Sequence, residues 1–150
     1  MHPLVREANK FDIPALLDML RAYRIATPLD FLRDVDDAEY ITKLLIELMS
    51  GRGLILIAEE AEPIGMLMAI ISPSQWELSK YLMTEMAYWV QPKHRGGTAG
   101  YRLIKAYQKK GQELKSQKRI ENFLISKMSN SPDLKFNKFG FSKLEEFWVQ

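Results

Sequence analysis

Apolar side chains recur at helical spacing through Ile13, Leu16, Leu17, Leu20 and Tyr23, which predicts an amphipathic helix over that stretch. Asp12 stands where an N-cap belongs, and Phe11 and Leu16 stand where a hydrophobic staple closes. The polar run Thr27–Asp34, interrupted by Pro28, reads as irregular. A second helix is expected from Asp36, whose side chain and Glu39 fit a capping box, with Ile41, Leu44, Leu45 and Leu48 inward and Gly51 as the C-terminal glycine. The period then changes. Leu54–Ala58 is a continuous apolar run between Gly53 and Glu59, the pattern of a buried strand, and Glu59–Pro63 reads as a hairpin connection into a strand over Ile64–Ile71.

Ser72–Ser79, with Pro73, is expected as a loop, and Tyr81–Val90 as a third long strand. The chain then enters Gln91-Pro92-Lys93-His94-Arg95-Gly96-Gly97-Thr98-Ala99-Gly100 and a helix with Tyr101, Leu103, Ile104, Tyr107 and Leu114 inward. A strand over Ile120–Ser126, a short helix near Pro132–Lys138 and a last strand over Leu144–Val149 complete the prediction, with a weaker strand signal at Leu4–Arg6. Strand and helix patterns alternate, so the class is mixed α/β. With no internal repeat and no Gly/Ser linker, residues 1–150 are expected as a single domain.

Composition narrows the chemistry. There is no cysteine, which removes disulfides, a cysteine nucleophile and thiolate metal ligands. Only His2 and His94 offer imidazoles, so no histidine metal centre is expected. The 21 basic and 19 acidic side chains leave a net charge of +2, too small a bias to mark a nucleic-acid binder by itself. No apolar run approaches the ~20 residues needed to span a bilayer, and the N-terminal residues lack a signal-peptide pattern. A cytoplasmic protein without a membrane partner is the expectation.

The loop after Val90 carries the strongest chemical signal. Gly96, Gly97 and Gly100 fall within five residues and lead into a helix, so backbone N–H groups and the helix dipole favour an anion there, above all a phosphate. Arg95 adds charge to the rim. A P-loop needs G-x-x-x-x-G-K-[ST], which is absent, and a dinucleotide fingerprint needs G-x-G-x-x-G and a later acidic residue at a strand end. The glycine spacing does not match the latter, and Glu121 falls at the start of its strand.

Val90-Gln91-Pro92 followed by Arg95-Gly96-Gly97-Thr98-Ala99-Gly100 resembles the hallmark [QR]-x-x-G-x-[GA] of the GNAT superfamily of acyl-CoA-dependent N-acetyltransferases. The element order and the late Phe139-Gly140-Phe141 are similar as well. Glu85-Met86-Ala87-Tyr88-Trp89-Val90 with His94-Arg95-Gly96-Gly97 resembles GNAT-like proteins of phages and bacteria. The resemblance implies a mixed, mostly antiparallel sheet, splayed between its central strands, with helices on both faces. It implies acetyl-CoA as cosubstrate and no metal. It also implies that the main chain of Tyr88, Trp89 and Val90 meets the pantetheine arm, while Arg95, Gly96, Gly97, Thr98, Ala99, Gly100 and Tyr101 surround the pyrophosphate.

Two positions depart from the family pattern. Thr98 replaces a glycine, and either caps the next helix or donates to a phosphate oxygen. Phe136 stands where the family carries a tyrosine that protonates the departing thiolate, so the resemblance places a phenyl ring beside the sulfur of the cosubstrate.

Among candidate catalytic residues, Glu85 is the only carboxylate in an apolar strand, where burial would raise its pKa toward that of a working base. The plainer alternative is a solvated or lysine-paired glutamate. Tyr88 and Tyr81 are alternative proton carriers. His94 reads as a rim contact or a solvated side chain, and Lys105, Lys109 and Lys110 as a solvated helix face or contacts to a phosphate of the cosubstrate. The function expected is transfer of an acetyl group to a primary amine by direct attack. A non-catalytic CoA- or partner-binding module and an enzyme modifying a nucleic-acid base are the rivals. The size of the amine acceptor is open, as is a homodimer.

Overall fold

The structure, a computed structural model, describes residues 2–150. Strand β1 (Leu4–Glu7) leads through a tight turn into α1 (Ile13–Ala26), and an irregular stretch leads to α2 (Ala38–Glu47). Three long strands follow, β2 (Gly53–Glu60), β3 (Glu62–Pro73) and β4 (Tyr81–Val90), then α3 (Ala99–Ser116) and the short β5 (Asn122–Leu124). The sheet runs in sequence order from β1 to β5, with every pair antiparallel except β4 and β5, which are parallel. Long antiparallel neighbours need only hairpin turns, and Ala61, at φ 63, makes the tight one between β2 and β3. The parallel step from β4 to β5 needs a crossover, and α3 supplies it.

Both faces of the sheet are covered, and the alternation of side chains assigns each strand residue to one of two cores. Ile55, Ile57, Met66, Met68 and Ala87 pack against Leu16 and Met19 of α1 and Leu45 of α2. Leu54, Leu56, Ala58, Leu67, Ala69 and Met83 pack against Leu103, Tyr107 and Leu114 of α3. Helix α3 lies close to β5 because Gly111 has no side chain. A Cβ there would sit 2.5 Å from the ring of Phe123, and that ring is held edge-on between Tyr107 and Phe141, at 5.7 Å from each. Gly111→Val is therefore expected to cost about 2–3 kcal/mol by overpacking. Urea unfolding of the two proteins checks this, and an unchanged midpoint would show that the helix can ride outward without loss.

Helix starts depart from the sequence expectation. Asp12 does not cap α1. Its carboxylate accepts two hydrogen bonds from Arg6, at 2.8 and 2.9 Å, and Arg6 also binds Glu59 on β2. The guanidinium holds both carboxyls below their usual range. Asn9 caps the turn before α1 instead, in a capping box with Asp12. Phe11 is 81% exposed, so the staple with Leu16 does not form. For α2 the cap is Asp37, which accepts from Tyr40 N–H at 3.0 Å, rather than Asp36 with Glu39. Gly51 takes φ +111, the left-handed conformation expected of the glycine ending that helix.

The C-terminal third differs most. The strand expected over Ile120–Ser126 is ordered as a ladder only through Asn122–Leu124. The short helix is a single tight turn over Phe136–Phe139. No strand forms at Leu144–Val149, where every side chain is exposed and the backbone has no ladder partner. Tyr101 is exposed and rests on Phe139, with ring centroids 5.5 Å apart, rather than facing inward. Two residues before Leu103 is the opposite side of a helix, which accounts for the difference. Among the described residues no helix is long and apolar enough to cross a membrane.

Candidate functional site

Strand β4 builds the site because it parts from its neighbour halfway along. It pairs with β5 only over Leu82–Thr84, so from Glu85 to Val90 its outer edge has no strand beside it. The resemblance implies a splay between central strands; here the opening lies between β4 and the edge strand β5. On its other side β4 stays paired with β3 to the end, with one irregularity. Met68 faces Ala87 and Ala69 faces Glu85, so Met86 is an extra residue. Such a β-bulge shifts the alternation of every residue after it. Before the bulge Met83 faces α3, and Glu85 follows it by one pleat; after the bulge Tyr88 and Val90 face α3, while Ala87 and Trp89 turn toward α1 and α2. The bulge thus brings Glu85 and Tyr88 to one side of the open edge.

Glu85 is buried, with 6% of its surface exposed. The carboxylate bridges the mouth of the splay, since its Oε1 accepts hydrogen bonds from the N–H and the hydroxyl of Ser126, both at 2.9 Å. It is thus neither solvated nor paired with a lysine. Burial raises its pKa, and the two Ser126 bonds oppose that rise. Burial, and secondarily the Glu85 charge, push the Tyr88 hydroxyl up to about 12. Tyr88 is therefore a neutral phenol at physiological pH, a proton donor rather than a base. Tyr81, at the far end of β4, lies on the exposed surface.

The main-chain groups of β4 divide by direction. Gln91 N–H donates to Ile64 O of β3 at 2.8 Å. By the alternation of an antiparallel ladder, the N–H and C=O of Trp89 also face β3, and those of Tyr88 and Val90 face the open edge. Of the three residues whose backbone was expected at the site, Trp89 is thus turned away. Its ring instead meets Tyr23 of α1 edge-on at 6.5 Å. Val90 O accepts from Arg95 Nε at 2.8 Å, and the guanidinium lies 4.4 Å over the Trp89 ring. Arg95 therefore staples the loop to the strand as well as placing charge there.

At the loop itself, the first bond within α3 is Arg102 N–H to Thr98 O, so the N–H groups of Ala99, Gly100 and Tyr101 have no partner in the helix. Gly97 N–H is directed at His94 O. Gly96 and Gly97 do not take left-handed backbone angles. What they provide is space: no atom lies within 4 Å of a Cβ built on Gly96, and only His94 O, at 3.7 Å, approaches one on Gly97. Gly100 is different, because its Cβ would lie 2.5 Å from the Tyr88 hydroxyl. A phosphate-bearing ligand fits this cradle, with free donors at the helix start and room where side chains are missing. Thr98 occupies the N-cap position without capping. Its hydroxyl instead meets Arg102 Nε at 3.2 Å. His94 lies 3.9 Å from Glu60 at the rim, and Lys105 and Lys109 are exposed.

Phe136 packs against Phe141 at 6.2 Å, in the aromatic row that runs through Phe123 to Tyr107 on the α3 side of β5. Two contributors were missed in the sequence. Ser126 was read only as the end of a strand. Asn130 donates from its side chain to Ala26 O at 2.8 Å, tying the segment after β5 to the end of α1 across the sheet. A serine just beyond an apolar run facing a lone glutamate was the available signal for the first; nothing local marks the second.

Residues 16–141 match the model of the acetyltransferase (GNAT) family. Comparison with curated proteins gives no match. Among solved structures the chain is similar to a transcriptional regulator from Bacillus halodurans, with a TM-score of 0.72 and 18% identity over 99% of each chain. A predicted acetyltransferase from Clostridium acetobutylicum, solved with acetyl-CoA, has a TM-score of 0.72 at 16% identity, covering 99% of this chain and 95% of that one. Glucosamine-6-phosphate N-acetyltransferase from Arabidopsis thaliana has a TM-score of 0.72 at 13% identity, covering 100% and 98%.

Proposed function

Since the chain belongs to the acetyltransferase (GNAT) family and is thereby an acyl-CoA-dependent acetyltransferase, we propose that it acetylates a primary amine by direct attack, with Glu85 as the general base. The observation that carries this reading is the buried Glu85 carboxylate at the open edge of β4, on the strand that leads into the donor-rich start of α3. Acetyl-CoA supplies a thioester, whose carbonyl carbon gains the amine nitrogen as the C–S bond breaks. The N–H groups of Ala99, Gly100 and Tyr101 hold the pyrophosphate, and Gly96 and Gly97 leave room for it. The main-chain groups of Tyr88 and Val90 that face the open edge align the pantetheine arm.

An amine is protonated at neutral pH, with a reference pKa near ~10.4, and must lose a proton to attack. Both Ser126 donors reach Oε1 of Glu85, which leaves Oε2 to take that proton, directly or through a water. The Tyr88 hydroxyl lies beside Gly100, at the pyrophosphate end of the cradle, so it does not reach the thioester, and the leaving sulfur takes back the proton lost by the amine, through Glu85 or a water. Phe136 offers no hydroxyl for that step. Its ring packs on Phe141, in the aromatic row beside β5. The amine enters from the α1 side, where Tyr23, Met86 and Trp89 line the approach to the bulge. The Arabidopsis relative acts, by its name, on an amino sugar phosphate, and a compact amine of that kind suits an approach bounded by Ala26 and Asn130.

Turnover is tested by incubating the protein with acetyl-CoA and a panel of amino sugars, aminoglycosides, polyamines and peptides, following free-thiol release. Acceptor-dependent release with an acetylated product of matching mass is expected. Thiol release that does not depend on any amine, with acetyl-CoA bound, would replace this reading with that of a binding module.

A further inference from the structure

Arg24 stands in the last turn of α1 with a half-buried guanidinium that almost nothing in the chain satisfies. Its Nε is out of contact with water and has no hydrogen-bond partner. Its Nη2 has a single contact, to Val35 O at 3.4 Å, longer than an ordinary N–H···O bond. Among the described residues its charge meets no carboxylate. Arg6 shows the same edge in use, since its Nε and Nη2 grip the two oxygens of Glu59 at 2.9 and 3.0 Å. A guanidinium withdrawn from water without a counter-charge costs free energy, and donors left nearly idle call for an acceptor from outside the chain.

The nearby acids do not supply that acceptor. In the connection from α1 to α2, Asp30 pairs with Arg33 and Asp37 caps α2. Asp34 and Asp36, on either side of Val35, are exposed, and water and salt screen exposed charges. Beyond β5, Lys127 is also without a carboxylate, and its Nζ meets only the carbonyls of Met128 and Ser131. Asn130 of that same turn donates to Ala26 O, so the turn that carries this second cation is tied to the end of α1.

We propose that Arg24 anchors the acceptor by an oxyanion, so that the amine acetylated here belongs to a molecule that also carries a phosphate or a carboxylate. The inference rests on the acetyl transfer proposed above and names its substrate class. The position fits. Tyr23, the preceding residue, meets the Trp89 ring, and its hydroxyl lies 3.4 Å from Met86 O, beside Glu85. Successive residues leave a helix ~100° apart, so Tyr23 reaches down to the sheet while Arg24 leaves the flank of the same turn toward Val35. An amine at Glu85 and an anion at Arg24 are therefore held apart by about the reach of a tyrosine side chain. That spacing suits an anion several bonds from the nitrogen rather than on the adjacent carbon. A guanidinium receives a phosphate or a carboxylate in a planar, two-bond fork. Of its nitrogens only Nε is sealed, which leaves the Nη end open to such a fork. The carbonyl end of α1 disfavours an anion, an effect of the last turn that a bidentate charge-assisted pair outweighs.

The test follows thiol release at saturating acetyl-CoA for two acceptor pairs that differ only in the anion. One is glucosamine 6-phosphate against glucosamine, and the other is 4-aminobutyrate against 4-aminobutyramide. The wild type is expected to prefer the anion-bearing member of at least one pair by about 10- to 100-fold in kcat/KM, carried by KM, the range of one or two charge-assisted hydrogen bonds. The pair that shows it tells phosphate from carboxylate. In Arg24→Met, which keeps the apolar stem, the preference should vanish, and Arg24→Lys, which keeps the charge without the fork, should recover part of it. No preference in the wild type overturns the proposal. So does a preference that survives Arg24→Met while both members of a pair slow together, which would make the guanidinium a structural tie to Val35. If no acceptor releases thiol, calorimetry of the same compounds against wild type and Arg24→Met keeps the two readings apart. Tighter binding of an anionic member that the variant loses sustains the anchor and removes only the transfer step, whereas no such difference removes the anchor as well.

Discussion

Gly97→Glu is expected to weaken acetyl-CoA binding by at least about 100-fold, an effect of ~3 kcal/mol, while leaving the fold intact. The structure makes this the clean substitution in the loop. A side chain at residue 97 projects into space that the protein does not use, since only His94 O approaches its Cβ, at 3.7 Å. Gly100→Glu would drive its Cβ to 2.5 Å from the Tyr88 hydroxyl, so a loss of binding there would mix misplaced packing with electrostatics. At residue 97 the new carboxylate faces the donors at the start of α3 and repels a pyrophosphate. Like charges set together at a binding surface cost several kcal/mol, and each charge-assisted hydrogen bond lost costs ~1.5–3 kcal/mol. Either contribution alone is large enough. Calorimetry with acetyl-CoA, alongside thermal melts of both proteins, checks the prediction. Equal affinity in the two proteins would place the cosubstrate away from this loop.

Which parts of this site were legible in the sequence follows from which forces are local. The glycine-rich loop was, because missing side chains and a helix start are properties of consecutive residues. The burial of Glu85 was foreshadowed by its apolar neighbours Met83, Met86 and Ala87, since a strand that is apolar around a position buries it. The bulge at Met86 was not, because it is a mismatch with β3 and exists only once the two strands are in register. Strict alternation would have put Glu85, Ala87 and Trp89 on one face and Tyr88 on the other. The extra residue reverses this, which sends the Trp89 ring to Tyr23 and its main chain to β3. The cap of α2 was misplaced by one residue because Asp36 and Asp37 are chemically identical, and only the fold shows which one reaches Tyr40 N–H. Leu144–Val149 has the composition of a strand, but strand propensity records fit to a neighbouring strand. Among the described residues no strand lies beside it.

Glu85→Gln is expected to lower turnover by ~10² or more, the usual contribution of a positioned general base, with acetyl-CoA affinity unchanged. The amide keeps an oxygen for the two Ser126 donors, so the bridge across the splay survives, and only the capacity to take a proton is lost. The pH dependence identifies the group. A base must be ionised to act, and burial has raised the pKa of Glu85. In the wild type kcat/KM should therefore rise with pH along a limb displaced above the ordinary glutamate value of ~4.3, and this limb should vanish in the variant. Stability should move the opposite way. A carboxyl whose pKa is raised by folding keeps its proton better in the native state than in the unfolded one, so stability is fully present below the unfolded value. It is lost as pH rises through the folded one. Glutamine is neutral at every pH and escapes that loss. The variant should thus melt at a higher temperature than the wild type at pH 8 and at nearly the same temperature at pH 4. A protein made more stable and less active by one isosteric change would mark Glu85 as a charge buried for chemistry. A loss below ~10-fold at every pH, with no gain in melting temperature at pH 8, would leave Glu85 as the clasp that holds Ser126 and move the proton to a water along the open edge of β4.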